Sequence, residues 1–600
     1  MTTPSRQEIR ADLGAVSATH PYASAAGMAV LERGGNAFDA AVAAAFVLHV
    51  VMPHNNGPGG DVSIVLYDAR TSGTRSICGQ GPMPAGARLE SFQALGLKQI
   101  PGSGLLPATV PGAVGAWLRL LAEFGTLPLA EVLEYAIGHA SRGVPVLPDV
   151  AHAIATLAPL YLADWTGSAA TYLRDGRAPT PYSRHGNPIL AETYSRLIRA
   201  GEQKSSREAR IEAASRAFYE GFVADAIDRF TRETEALDST GRRHRALLTG
   251  QDLVGWQPEV EEATALDFRG YRVFKPGPWS QGPVFLQQLS LLDGFDLAAM
   301  DPAGADYLHT MVECAKLAFA DREAWYGDPR HTDVPLAALL DPGYGERRRG
   351  LVGPEARTSL LPGAPDGRES WIPTPASAEP YTGDDEWMSQ IQSGLPTVVR
   401  ATAARTDTCC VTVADRHGNI VAGTPSGGWL KSSPAIAELG FPLGTRGQTM
   451  WLVEGHPNAV APGRRPRTTL SPTVVLRDGR PFLAFGTPGG DQQDQWTLQF
   501  FLGVTEFGLD LQRATEMPAF HTDAFPASFT PRETRVASLT VERTVGDATV
   551  AELRRRGHDV KVAPPLSLGK VCATGFTVDD DNFILAAAGP RGQQAYAVGR

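Results

Sequence analysis

The chain has 600 residues, of which 43% are hydrophobic and 20% charged, a balance that excludes a disordered or fibrous protein. Fifty-five basic residues against 65 acidic ones leave a formal net charge of −10, which argues against a nucleic-acid binder. The length suits two or three domains or one large two-layer core.

Sixty-three glycines and 46 prolines make a heavy loop load with no collagen-like period. Cys78, Cys314, Cys409, Cys410 and Cys572 are odd in number and lack the spacing of a disulfide framework or a zinc site. Residues 1–13 are polar and lack the apolar core of a signal peptide. The longest apolar run, 40–52, is only about a dozen residues, contains His49, and reads as a buried helix and not a membrane span. The expectation is a soluble cytoplasmic protein with no metal and no organic cofactor.

In chain order, helical patterns dominate the first 350 residues. A helix through 24–31 leads into Gly34-Gly35-Asn36, and an Ala-rich helix opens at Asp39 and runs to Val51. A strand over 62–67 follows the glycine-rich stretch His54-Asn55-Asn56-Gly57-Pro58-Gly59-Gly60. Further helices are predicted over 111–124, 130–140, 205–232 and 305–326, the last with apolar residues at three-and-four spacing. Residues 360–407 are polar, proline-rich and aperiodic, as an exposed connector is.

After this connector the grammar becomes β-rich. Three hairpins pair 409–413 with 420–424, 473–476 with 482–485, and 574–578 with 583–587. Their turns, among them Asp478-Gly479 and Gly418-Asn419, supply the positive φ that tight hairpins need. Each second strand ends in a glycine-rich loop, at 423–428, 486–490 and 589–592, and such loops at one end of stacked strands converge on one rim. Helices over 493–507 and 547–556 alternate with the hairpins. The economical architecture is antiparallel sheet on antiparallel sheet with helices outside.

The serine-elbow, Walker A, zincin and dinucleotide-binding motifs are absent from the sequence. There remains a hydroxyl, Thr408, at the head of a strand that the connector feeds. A threonine hydroxyl needs a base to become a nucleophile, and its own α-amine can serve once the preceding peptide bond is cut. That amine has an ordinary pKa of about 7.7–8.0, so part of it is neutral at physiological pH. By position alone, a threonine at a strand start is most often structural.

Several segments in order resemble the γ-glutamyltranspeptidases: Gly34-Gly35-Asn36-Ala37-Phe38-Asp39, the loop from Pro53 to Gly60, Val110-Pro111-Gly112, Ala320-Asp321-Arg322, Gly327-Asp328-Pro329 and Pro488-Gly489-Gly490. The resemblance spans 12–600. It implies an α+β fold, the αββα sandwich of the N-terminal-nucleophile hydrolases, and an inactive precursor that cleaves itself before Thr408. A large subunit of 1–407 and a small one of 408–600 would result, with association of such heterodimers left open. By the same resemblance Ser426 orients the nucleophile, and backbone N–H groups of Gly489 and Gly490 form the oxyanion hole.

Departures stand beside these matches. Gln80 occupies the place of the arginine that grips a glutamyl α-carboxylate, and Gln448 and Thr449 occupy that of the acidic pair that holds the α-amine. Thr468-Thr469 replace a serine pair and keep its hydroxyls. Arg446 or Arg467 could bring a positive charge from another direction, and Cys409-Cys410 read as small buried strand residues. Three readings follow. The first is a self-processing acyl hydrolase or transferase, taking a small-molecule acyl donor and water or an amine as acceptor, with its γ-glutamyl clamp lost. The second resembles relatives that hydrolyse a C–C bond of a proline-derived precursor in antibiotic biosynthesis. The third is an unprocessed, non-catalytic binding homologue. None involves nucleic acid or a membrane.

Overall fold

The computed structural model describes residues 4–374, 408–578, 581–593 and 595–600. Most of the connector, including Asp407, and Asp579-Asp580 of the third hairpin turn lie outside the described residues.

Two seven-stranded sheets, antiparallel throughout, form the centre. The first runs Tyr596–Gly599, Gly14–Ala18, Val411–Asp415, Ile420–Ser426, Asp61–Asp68, Gly73–Gly79 and Glu259–Glu262 in spatial order. The second runs Ile9–Ala11, Ile584–Ala588, Cys572–Phe576, Arg480–Gly486, Thr473–Arg477, Tyr271–Lys275 and Thr264–Phe268. All three expected hairpins are present; the first strand of the first begins two residues later, at Val411, and that of the third two residues earlier, at Cys572, than the sequence pattern suggests.

Alternation along the strands builds the layers. Ile420 and Ala422 join Val474, Ala484, Phe576 and Ala586 in a core between the sheets. Val411, Val413 and Val421 point the other way, onto helices Ala37–Val51 and Ala113–Phe124. Val475, Leu483 and Phe485 face helices Gly282–Leu292, Ala305–Trp325 and Gln493–Thr505. The result is the αββα sandwich.

Helix Ala37–Val51 is buried along nearly its whole length, which is why its sequence is apolar all round. The Asn36 side chain accepts from the N–H groups of Phe38 and Asp39, and Asp39 accepts from the Asn36 N–H in return, a capping box. This cap, and not Asp39 alone, starts the helix. Asp39 also accepts from the Thr126 hydroxyl at 2.7 Å and the Leu127 N–H, so the resemblance's Asn36–Asp39 signature is a structural cap. Asp415 of the first hairpin turn accepts from the Ala37 N–H at 2.8 Å, which fixes that helix end against the sheet.

The helix expected over 205–232 is two, Arg207–Tyr219 and Phe222–Glu233, broken at Gly221 with its extended φ of −122°. Among the described residues no helix is long and apolar enough to cross a membrane.

Candidate active site

Thr408 is the first described residue after the connector, and it is 1% exposed. It forms an antiparallel bridge with Ser426, and its hydroxyl donates to Ser426 Oγ at 3.3 Å. The Cys409 N–H donates to Pro425 O at 2.8 Å, so the backbone on the C-terminal side of Thr408 is held in the sheet.

Ser426 in turn pairs with Asp61 at the start of the next strand. That strand pairs Val62 with Gly79, which sets Gln80 one step beyond the ladder, across from Asp61. A row Thr408, Ser426, Asp61, Gln80 therefore crosses three strands and the chain that enters them. Asp61 is 3% exposed and accepts a fork from Arg446, Nε at 2.8 Å and Nη2 at 3.0 Å. Thr468 Oγ1 lies 3.4 Å from Asp61 Oδ2. The guanidinium lies 5.5 Å from the Trp429 ring centre and 5.6 Å from that of Phe529.

Close backbone approach explains the glycine loop before Asp61. A Cβ on Gly60 would sit 2.1 Å from Ser426 O, and one on Gly59 2.1 Å from Pro442 O. Residues 423–426 remain in the strand, and only Gly427 and Gly428 turn, with φ of +71° and +61°.

Gly489 has φ +138° and Gly490 +57°, both costly for residues with a side chain. A Cβ on Gly489 would meet Trp496 at 2.2 Å. Gly490 begins a short 3₁₀ turn that runs into helix Gln493–Thr505, so its amide lies at a helix start, where N–H groups collect positive potential. Gln281 ties this loop to the other side: its N–H donates to Thr468 O at 2.9 Å, and its side chain reaches Gly490 O at 3.5 Å.

The loop rests on a buried charge network. Arg322 pairs with Asp491 and Glu323, and Arg467 Nη2 donates to Glu323 at 2.6 Å. Burial alone would raise the Asp491 pKa, but Arg322 and Ser528 outweigh it and hold the carboxyl below its ordinary range. Arg467 is thus committed to Glu323 and brings no charge to the row. Arg446 does bring one, with Asp61 as its counter-charge.

The remaining expected residues divide. Gln80 is 1% exposed; its Nε2 donates to Gly81 O at 2.8 Å, while its Oε1 has no hydrogen-bond partner among the described residues. Thr469 Oγ1 and Arg446 Nη1 are likewise buried without one. Gln448 Nε2 donates to Gly102 O at 3.1 Å, and Thr449 Oγ1 to Arg446 O at 2.9 Å. Both therefore brace the turn Arg446–Thr449. Cys409 and Cys410 are fully buried. Burial pushes the Cys409 thiol up to about 12 and that of Cys410 well above its ordinary value, the state of inert thiols.

Two contributors escaped the sequence reading. Asp61 carried a faint signal, a lone acid directly after a glycine run at a strand start. Gln281 carried none.

One cluster elsewhere has metal-ligand composition: His309 Nδ1 and His558 Nε2 are 2.9 Å apart beside Glu313. Glu313 is already bonded by the Lys316 ammonium at 2.7 Å, and His309 Nε2 donates to Gly353 O. Burial, then Lys316, pushes His558 down to about 3. The Glu313 charge is thus already matched by Lys316.

Residues 23–599 match the gamma-glutamyltranspeptidase family. The glutathione hydrolase-like YwrD proenzyme of Bacillus subtilis (strain 168) is 30% identical over 97% of this chain and 98% of its own. LmbA2991HD is similar at 48% identity with a TM-score of 0.92 over the whole of both chains. The cephalosporin acylase of Bacillus halodurans is similar at 27% identity and a TM-score of 0.81, over 100% of this chain and 98% of that one.

Proposed function

The chain belongs to the gamma-glutamyltranspeptidase family of N-terminal-nucleophile hydrolases and transferases, and from that membership we propose that Thr408 is its nucleophile. In this reading the Thr408 hydroxyl attacks the Asp407 carbonyl, the acyl group passes from nitrogen to oxygen, and water hydrolyses the ester. The products are a large subunit, 1–407, ending in a carboxylate and a small one, 408–600, beginning with a free amine. That amine then deprotonates its own hydroxyl in turnover. An acyl donor esterifies Thr408, and water or an amine releases it. Ser426 orients the hydroxyl, and the Gly489 and Gly490 amides stabilise the oxyanion, a donor of this kind contributing about 2.7–4 kcal/mol.

One observation carries the reading: an isolated bridge ahead of strand Val411–Asp415 holds Thr408 Oγ1 3.3 Å from Ser426 Oγ, on the rim where the glycine loops meet. Gly486 supports the convergence, since a Cβ there would lie 2.8 Å from Cys410 Sγ and 3.2 Å from Thr424.

The γ-glutamyl clamp is lost in this reading. Gln80 is neutral, and Gln448 and Thr449 are uncharged, their side chains bonded to Gly102 O and Arg446 O. An arginine–carboxylate contact contributes about 1.5–3 kcal/mol, so its absence costs one to two powers of ten in binding. The name of the cephalosporin acylase supports an amide donor other than glutathione. The same neutral Gln80 favours a second reading, hydrolysis of a C–C bond beside a carbonyl in a proline-derived antibiotic precursor, which uses the same acyl-threonine.

The test is the intact mass of the wild-type protein beside Thr408→Ala. Two fragments meeting at Asp407 and Thr408, absent from the variant, are expected. γ-Glutamyl amides and 2-oxo-acid-bearing pyrrolines are then compared as substrates. A wild-type chain that stays whole would overturn the nucleophile assignment.

A further inference from the structure

Two buried side chains at the row beyond Ser426, Gln80 within it and Arg446 bound to its Asp61, each carry a polar atom with no hydrogen-bond partner among the described residues. Arg446 is 2% exposed and Gln80 1%. The fork from Nε and Nη2 to Asp61 leaves Arg446 Nη1 directed away from that carboxylate, and it has no hydrogen-bond partner among the described residues. Gln80 spends its Nε2 on Gly81 O, which identifies the other end of the amide as the oxygen, and this Oε1 is an acceptor without a donor. Buried groups in this condition are uncommon in folded proteins and call for a partner.

They also have an order. Asp61, which holds Arg446, is two strand positions from Thr408 through Ser426, about 10 Å at the usual strand spacing. Gln80 follows across from Asp61. The reach is that of a short acyl chain ending in a hydrogen-bonded head group. The turn Arg446–Thr449 presents a donor with positive charge, and the end of strand Gly73–Gly79 presents a neutral acceptor.

We propose that Arg446, clamped by Asp61, and Gln80 are the specificity-determining pair of the acyl pocket, and that they select a donor whose carboxylate faces Arg446 and whose N–H or O–H, where present, faces Gln80. The proposal rests on Thr408 being the site of acylation. It deepens that reading, because the polarity is the reverse of a clamp with its arginine at position 80 and its acids at 448 and 449. On a glutamyl donor the carboxylate and amine share one carbon, and exchanging their places gives the mirror image. The pocket therefore favours γ-D-glutamyl over γ-L-glutamyl donors, and a glutaryl donor, which has no amine to misplace, over both.

The experiment uses the wild-type protein, Arg446→Lys and Gln80→Leu with four p-nitroanilides: glutaryl, γ-D-glutamyl, γ-L-glutamyl and the uncharged pentanoyl. Binding of glutarate, D-glutamate and L-glutamate to the same proteins is followed by calorimetry. Arg446→Lys keeps a charge beside Asp61 but loses the planar fork and its third nitrogen. It is expected to lower kcat/KM on the glutaryl donor at least tenfold, mainly through KM, and to leave the pentanoyl donor within threefold. Gln80→Leu is expected to lower the γ-D-glutamyl rate several-fold and spare the glutaryl one. Mass spectrometry of each variant reports self-cleavage and so verifies that it folds. A preference for γ-L-glutamyl, or a glutaryl KM unchanged in Arg446→Lys, overturns the proposal while leaving acylation at Thr408 intact. Arg446-dependent binding of glutarate without turnover of any donor supports the pair and instead removes the proposed chemistry.

Discussion

Self-cleavage offers a test of the Thr408–Ser426 contact that needs no knowledge of the substrate. In Ser426→Ala one oxygen is removed from a side chain whose backbone bridge to Thr408 remains, as does the Cys409 N–H bond to Pro425 O at 2.8 Å. The deletion is too small to open a cavity that matters, so the effect falls on the hydroxyl pair. At 3.3 Å the contact is longer than the usual 2.7–2.8 Å of O–H···O bonds; as Thr408 Oγ1 gives up its proton in the attack the bond reverses, the Ser426 hydroxyl turning to donate to the developing negative oxygen. A hydrogen bond to a charged group contributes about 1.5–3 kcal/mol, which converts to about 10- to 150-fold in rate. Freshly purified precursor, sampled over time and resolved by mass, should show Ser426→Ala cleaving at the same bond but 10- to 150-fold more slowly. Thr408→Ala should not cleave at all. If Ser426→Ala matched the wild type within twofold, the hydroxyl would have no part in the attack and the orientation argument would fall.

Gly489→Ala places a Cβ 2.2 Å from Trp496 at φ +138°. It should lower stability by about 2 kcal/mol or more in urea unfolding and abolish turnover; a variant of wild-type activity would contradict the oxyanion assignment. All five cysteines are buried, so a thiol reagent at pH 8 should label none of them quickly until denaturant is added. Burial pushes His20, His49 and His54 down to about 3, below the unfolded value of about 6.5. The unfolded chain therefore takes up their protons first, and stability that is complete above about pH 6.5 is lost as pH falls toward 3. Each contributes about 1.4 kcal/mol of that loss by pH 5.5. The Tm should drop between pH 7.5 and 5.5, and a flat profile would show that these rings are not held neutral.

Much of the scaffold was legible because it is local. Asp-Gly and Gly-Asn turns between alternating apolar runs announced the hairpins, and the uniformly apolar 40–51 stretch announced a buried helix. The break at Gly221 was not legible, since apolar spacing continues on both sides of it. Arg467 and Arg446 looked equivalent as loose charges. Only the fold showed that Glu323, from the helix beneath, takes the first, while Asp61 turns the second toward the row.

By itself the sequence determined the family, the threonine that ends the connector and the uncharged residue types at positions 80, 448 and 449, because each is a matter of residue type along a short stretch. The tertiary structure decided which charged pair stands beside position 80, Arg446 with Asp61. Asp61 and Ser426 are 365 positions apart and meet only through antiparallel pairing, and Arg446 joins them from a third segment. The structure also decided that 1–374 and 408–600 are not separate bodies, since both sheets take strands from each. Pairing between distant strands is set by the burial of whole faces, and no window of sequence contains that information.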